Sequence, residues 1–178
     1  MTTLEKASHV AALTTSALLC VAIALSFLRP PLGSFNSSHL LGTHIEIPGI
    51  EWSQKTRTVL LALSAGCHYC SESTPFYRRL TEHLSNGKGS RIIAILPDDD
   101  PTARAFFQDA RLDIVYLPNI QFPIFGIEAT PTVLIVDSGG VVRKEWTGKL
   151  SPWVQEEVIS AANSTSLVER IIQWVQSN

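Results

Sequence analysis

Cysteine is scarce in this chain, and its placement is uneven. Three cysteines in 178 residues are too few for a disulfide scaffold, yet Cys67 and Cys70 stand in the stretch GCHYC with only two residues between them. A second C-x-x-C is missing. The histidines do not replace it, since His83 follows the pair alone and His39 and His44 lie upstream. Zinc takes four ligands, so ligand number argues against a metal centre. Clustered Lys and Arg are also missing, and with a net charge of −2 and a pI near 6.2 there is no electrostatic footprint for nucleic acid. Charged residues make up only 17% of the chain against 45% hydrophobic, which excludes a disordered polypeptide and fits a globular or membrane-linked one.

Charge is absent altogether from residues 10–28, VAALTTSALLCVAIALSFL. As a helix at about 1.5 Å per residue this run reaches roughly 28 Å, the thickness of a bilayer's hydrocarbon core. A charge-free run so near a terminus argues against a buried soluble helix. The preferred expectation is an uncleaved transmembrane anchor; the rival is a cleaved signal peptide, for which Ala22-Ile23-Ala24 supplies small residues, though the apolar run continues past them. A lipoprotein signal ending at Cys20 is disfavoured by the bulk of Leu19. Lys6 before the span and Arg29 after it nearly balance, so charge does not set the orientation. The expected organisation is a tail over 1–9, an anchor over 10–28, a linker over 29–43 built on the Pro-, Gly- and Ser-rich 30–38 (PPLGSFNSS), and a folded domain over 44–178.

The remainder alternates strand and helix patterns. Residues 58–64 (TVLLALS) and 91–96 (RIIAIL) are short continuous apolar runs, as strands buried on both faces are. Between them, Phe76, Leu80 and Leu84 recur at helical spacing, with Pro75 near the start and Asn86-Gly87 at the stop. Pro97-Asp98-Asp99-Asp100-Pro101 reads as a turn and a helix N-cap, where carboxylates meet the positive end of the dipole. A short helix over 102–111 and a third strand over 113–117 follow. Residues 132–137 and 141–146 form a hairpin about Ser138-Gly139-Gly140. Ser151-Pro152 opens a closing helix whose apolar face is Trp153, Val154, Val158 and Ile159. Parallel strands joined by helices, then a hairpin and a closing helix, make an α/β sandwich with a central mixed sheet.

This order places the cysteines where the first buried strand hands over to its helix. A helix beginning near His68 turns its unsatisfied first-turn amides toward Cys67, which favours thiolate over thiol. Cys70, one turn on, is within reach of Cys67. The first cysteine can attack a disulfide and the second can resolve the mixed disulfide.

With C-H-Y-C after a buried strand, Ala129-Thr130-Pro131-Thr132 leading into another, and Val136-Asp137-Ser138-Gly139-Gly140-Val141-Val142 followed by Trp146-Thr147-Gly148, the chain from about His44 onward resembles the thioredoxin-fold thiol-disulfide oxidoreductases, in detail the membrane-anchored TlpA/ResA type. The resemblance implies a thioredoxin-like three-layer α/β/α sandwich, preceded here by one N-terminal transmembrane helix. It implies that Cys67 and Cys70 are catalytic and that His68 and Tyr69 tune the site. It implies that Pro131 is cis and binds substrate together with Thr130. It further implies protein thiol and disulfide substrates, a membrane redox partner, and no cofactor beyond the Cys67–Cys70 disulfide. Location at a bacterial inner membrane, with the domain facing the periplasm or the exterior, accompanies it. The helix and strand between Pro101 and Leu117 match that branch's insertion.

The sequence also departs from the family. Gly66 stands where a tryptophan is usual and Tyr69 where a proline is common, and residues 59–63 lack the buried aspartate that many thioredoxins carry. The proton acceptor for Cys70 is therefore unassigned, with Glu128 the candidate nearest the proline loop and a plain surface carboxylate the other reading of it. A protonated His68 beside Cys67 would stabilise its thiolate and make the disulfide more oxidising; the alternative is an uncoupled surface imidazole. Tyr69 reads as a lip of the substrate groove or as a plain surface aromatic. A peroxiredoxin-like thiol peroxidase is the nearest rival, but Thr58 to Cys67 lacks a P-x-x-x-T-x-x-C context. A non-enzymatic thioredoxin-fold binding module is a third class, which the retained cysteine pair and Thr-Pro loop argue against.

Overall fold

The structure is a computed structural model and describes residues 39–85 and 89–163, all within a compact unit that begins at Phe35. The expected tail and anchor lie outside the described residues, as do most of the linker and the end of the closing helix. Among the described residues no helix is long and apolar enough to cross a membrane.

Among the described residues, five strands form one mixed sheet in the order β3-β2-β1-β4-β5. They are β1 (Arg57–Ala62), β2 (Ser90–Ile95), β3 (Val115–Leu117), β4 (Thr132–Asp137) and β5 (Val142–Thr147). β1 is central: Leu60 pairs with Ile93 of parallel β2 on one side and with Leu134 of antiparallel β4 on the other. Its unbroken apolar run follows from this position, because alternate side chains enter two different cores. Val59 and Leu61 join Val133, Ile135 and the helices. Leu60 and Ala62 join Leu134, Val136, Ile45, Ile47, Trp52 and Phe122.

The α-helices among the described residues are α1 (His68–Glu72), α2 (Thr74–Ser85), α3 (Asp100–Ala110) and α4 (Pro152–Asn163). All four contribute to the first core. The second core is closed by the segment around 40–52 and a 3-10 turn at Phe122–Phe125. Of the three layers expected, the third is therefore extended chain and tight turns among the described residues, not helix.

Local chemistry explains the breaks. Pro75 has no N–H to offer Ser71's carbonyl, and α1 gives way to α2 at Ser73, just before it. Asp99 caps α3 by accepting from the Thr102 amide at 3.0 Å, and Pro101 stands in its first turn. In the β4–β5 turn, Asp137 Oδ1 accepts from the amides of Gly139 and Val141. Gly140 there has φ +78°, and a Cβ would lie 2.9 Å from both His44 Nε2 and Trp52 Cδ1. The chain before β1 is tied to this hairpin by Gly42 N–H to Val142 O, Val142 N–H to Thr43 O and Ile45 N–H to Gly140 O. Leu40 N–H donates to Glu145 Oε2 at 3.0 Å. Residues 40–43, at the end of the expected linker, are thus packed against the sheet.

One expected core residue is misplaced. Trp153 is 72% exposed, whereas Val158, Ile159, Ala161 and Ala162 face inward on α4. Five residues separate Trp153 from Val158, which is about 140° around a helix; Val154, four residues away, is half-buried against the core.

Candidate active site

The site lies where β1 ends. After Ala62 the chain turns through Ser64, Ala65 and Gly66, with Cys67 N–H donating to Ser64 O at 3.1 Å. Ala65 N–H donates to Asp98 Oδ2 at 2.9 Å, so the loop after β2 holds the loop that delivers Cys67. Asp98, read from sequence only as part of a helix start, has this separate duty.

Cys67 is the N-cap of α1, with extended backbone (φ −84°, ψ 113°). Its sulfur accepts from Cys70 N–H at 3.2 Å, as an N-cap side chain does. The same sulfur lies 3.4 Å from Thr130 O, to which its thiol donates. Thr130–Pro131 is a cis peptide. The structure therefore brings Cys67, Cys70 and the Thr130–Pro131 loop together, from segments some sixty residues apart in the chain. Both cysteines are free thiols, one half-buried and the other with no exposed surface.

The two thiols differ electrically. Partial burial opposes ionisation of Cys67, but hydrogen bonds from Cys70, from the Thr130 side chain and from the first-turn backbone outweigh it and hold its pKa below the ordinary value. Burial, joined by the bond to Cys67, pushes Cys70 up to about 12. Thiolate is thus favoured at one sulfur and disfavoured at the other.

His68 and Tyr69 are on the surface, the His68 side chain 80% exposed and its ring tilted against that of Tyr69 at 5.8 Å. His68 Nε2 sits 3.2 Å from Glu72 Oε1, and Glu72 Oε2 accepts from Lys149 Nζ at 2.8 Å. Lys149 follows Gly148, whose N–H donates to Pro131 O at 2.7 Å. α1 and the proline loop are thereby joined at the surface by the segment after β5. The spacing of His68 and Glu72, one helical turn, was available in the sequence; the contact with Lys149 was not.

Gly66 has open space where a side chain would stand. Glu128 is exposed. A groove of about 450 Å³, lined by Ala65, Ser71, Thr74, Thr102, Phe106 and Asp109, runs beside the site between α1–α2 and α3. On α2, Tyr77 is buried with its hydroxyl unpartnered among the described residues, a feature that the helical pattern did not single out. No group of three His, Cys, Asp or Glu side chains among the described residues is arranged to hold a metal ion.

Comparison with known proteins gives a consistent picture. The Redoxin family matches residues 49–162. The Pasteurella multocida (strain Pm70) protein "Probable thiol:disulfide interchange protein DsbE-2" is 22% identical over 142 residues, which span 76% of this chain and 71% of that protein. StoA from Bacillus subtilis superposes with a TM-score of 0.52 at 15% identity, covering 67% of this chain and 92% of its own. A thiol-disulfide isomerase from Corynebacterium glutamicum gives 0.55 at 12% identity, covering 70% and 90%. At those identities the structural likeness carries the fold.

Proposed function

Since the chain belongs to the Redoxin family as a thioredoxin-fold thiol-disulfide oxidoreductase, we propose that it reduces disulfides of protein substrates through Cys67 and Cys70 in an extracytoplasmic compartment. The observation that carries this reading is the setting of the Cys67 sulfur. It caps a helix, accepts the Cys70 amide and faces the carbonyl before Pro131.

In the reducing direction the Cys67 thiolate attacks a substrate disulfide. A Cys67–substrate disulfide forms, and the departing substrate sulfur leaves with the electron pair and takes a proton. Substrate backbone lies along Ala129-Thr130, beside Pro131. Cys70 then attacks the Cys67 sulfur, the Cys67–substrate bond breaks, and a Cys67–Cys70 disulfide remains. The cysteines carry the electrons themselves, so the cycle needs no bound cofactor, but a membrane redox partner must recharge the pair. The charge-free stretch over 10–28 supports single-pass anchoring in a bacterial inner membrane, and the disulfide chemistry of the cysteine pair favours a domain outside the cytoplasm.

The test is a redox titration of the full-length chain in glutathione and dithiothreitol buffers, read by thiol alkylation and mass. A reversible two-electron couple near about −270 mV fits a reductase, and one near about −120 mV an oxidant. If Cys67 and Cys70 never join across that range, the reading fails. Cys67→Ser should abolish exchange, and Cys70→Ser should accumulate mixed disulfides instead of turning over.

A further inference from the structure

The proton on Cys70 poses a problem that the residues around it do not obviously solve. Cys70 has no exposed surface and must become a thiolate to resolve the mixed disulfide. β1 offers no carboxylate, and Glu128 is exposed. A phenol shares Cys70's buried cluster, that of Tyr77. It is only 1% exposed, and its hydroxyl has no hydrogen-bond partner among the described residues. A hydroxyl buried without a partner costs folding energy that a phenylalanine would avoid.

Its position is specific. Tyr77 lies seven residues after Cys70, two helical turns across the α1–α2 junction, so the two share a face. Helical side chains lean toward the N-terminus, which directs the phenol back toward the turn that carries Cys70. Both residues belong to the same buried cluster, and the half-buried Cys67 packs against it. The Ser73 side chain acts on the Tyr77 oxygen, but its hydroxyl proton goes to Tyr69 O at 2.7 Å. The strands and α4 offer this cluster apolar side chains; Tyr116, packed at its margin, is bonded to Asp100. Burial first, and then the negative charge that either cysteine would carry, keeps Tyr77 protonated. It is therefore no base. It is a donor lacking an acceptor.

We propose that Tyr77 donates a hydrogen bond to the Cys70 thiolate as that thiolate forms, and so speeds resolution of the mixed disulfide. This rests on the reading that Cys67 attacks and Cys70 resolves. A thiol is a weak acceptor and a thiolate a strong one, so the bond becomes worthwhile only when the proton leaves. Tyr77 keeps its own proton throughout. The Cys70 proton passes to solvent or to the departing substrate thiolate.

The test uses the reduced full-length chain and the aromatic disulfide DTNB as probe. Attack by Cys67 releases a first thionitrobenzoate, and resolution by Cys70 releases a second, each visible by absorbance. Tyr77→Phe should leave the first release within twofold. It should slow the second about three- to tenfold from pH 6 to pH 9, the effect of a Cys70 pKa raised one to two units and softened by the higher nucleophilicity of a more basic thiolate. Thermal stability should be unchanged or higher, since the lost hydroxyl had no partner. 3-Fluorotyrosine at position 77, a stronger donor of nearly the same shape, should accelerate the second release. An unaltered second release in Tyr77→Phe overturns the proposal, as does an equal slowing of both releases, which marks a packing role. No second release from the unsubstituted protein sinks the oxidoreductase reading and this one with it.

Discussion

Asp98 shows how much of the site's order depends on single contacts. Its carboxylate holds the Ala65 amide at 2.9 Å, two residues before Cys67. Asp98→Ala should destabilise the protein by about 1–2 kcal/mol in urea melts and slow Cys67 alkylation, because the loop no longer holds the sulfur at the Cys70 amide that favours its thiolate. Asp98→Asn retains an acceptor and should recover most of both. A second prediction concerns the thiols. Cys70→Ala removes a bond that lowers the Cys67 pKa, so the pH midpoint for iodoacetamide reaction at Cys67 should move upward. The C-x-x-C pair and Thr130-Pro131 were legible in the sequence because each is a local pattern. Asp98, Lys149 and the Thr130 carbonyl were not, since they meet α1 or the loop before it only once β1, β2 and β4 lie side by side. Tyr77 escaped for another reason: in a helical pattern a buried tyrosine looks like any other apolar position.

The element that matters most is β1, which serves two cores. Leu61→Ala opens the helical side and Leu60→Ala the opposite side, and each should cost about 2–5 kcal/mol in a denaturant titration. The cost at Leu60 should fall toward the lower end, because extended chain around 40–52 can settle into a cavity more readily than packed helices can. Gly140→Ala should cost about 1–3 kcal/mol, since a Cβ meets both Trp52 and His44 on a left-handed backbone. Strands buried on two faces announce themselves as unbroken apolar runs, and β1, β2 and β4 were readable for that reason. The 3-10 turn at Phe122–Phe125 was not, being too short to show a period. Trp153 misled because hydrophobicity alone does not reveal where an inner face begins.

Across the whole molecule, redox state and pH should be linked through Cys70. Its folded pKa of about 12 exceeds the ordinary 9.0, so the folded state binds the thiol proton more tightly than the unfolded chain does. That contribution to stability is complete below about pH 9 and is lost as pH rises toward 12. The reduced protein should therefore lose more urea resistance between pH 9 and pH 11 than the oxidised protein, whose sulfurs do not titrate. Equal losses would show that Cys70 is not held protonated. The attachment of residues 40–45 to the β4–β5 hairpin has a mechanical side as well. A pull through the chain ahead of His39 would first load the bond from Leu40 to Glu145 and then those from Gly42 and Thr43 to Val142. Those few links would act as a fuse: tension would peel the covering from the second core before reaching the strand that leads from Pro131, and stretching would unwrap the domain from the side away from its cysteines.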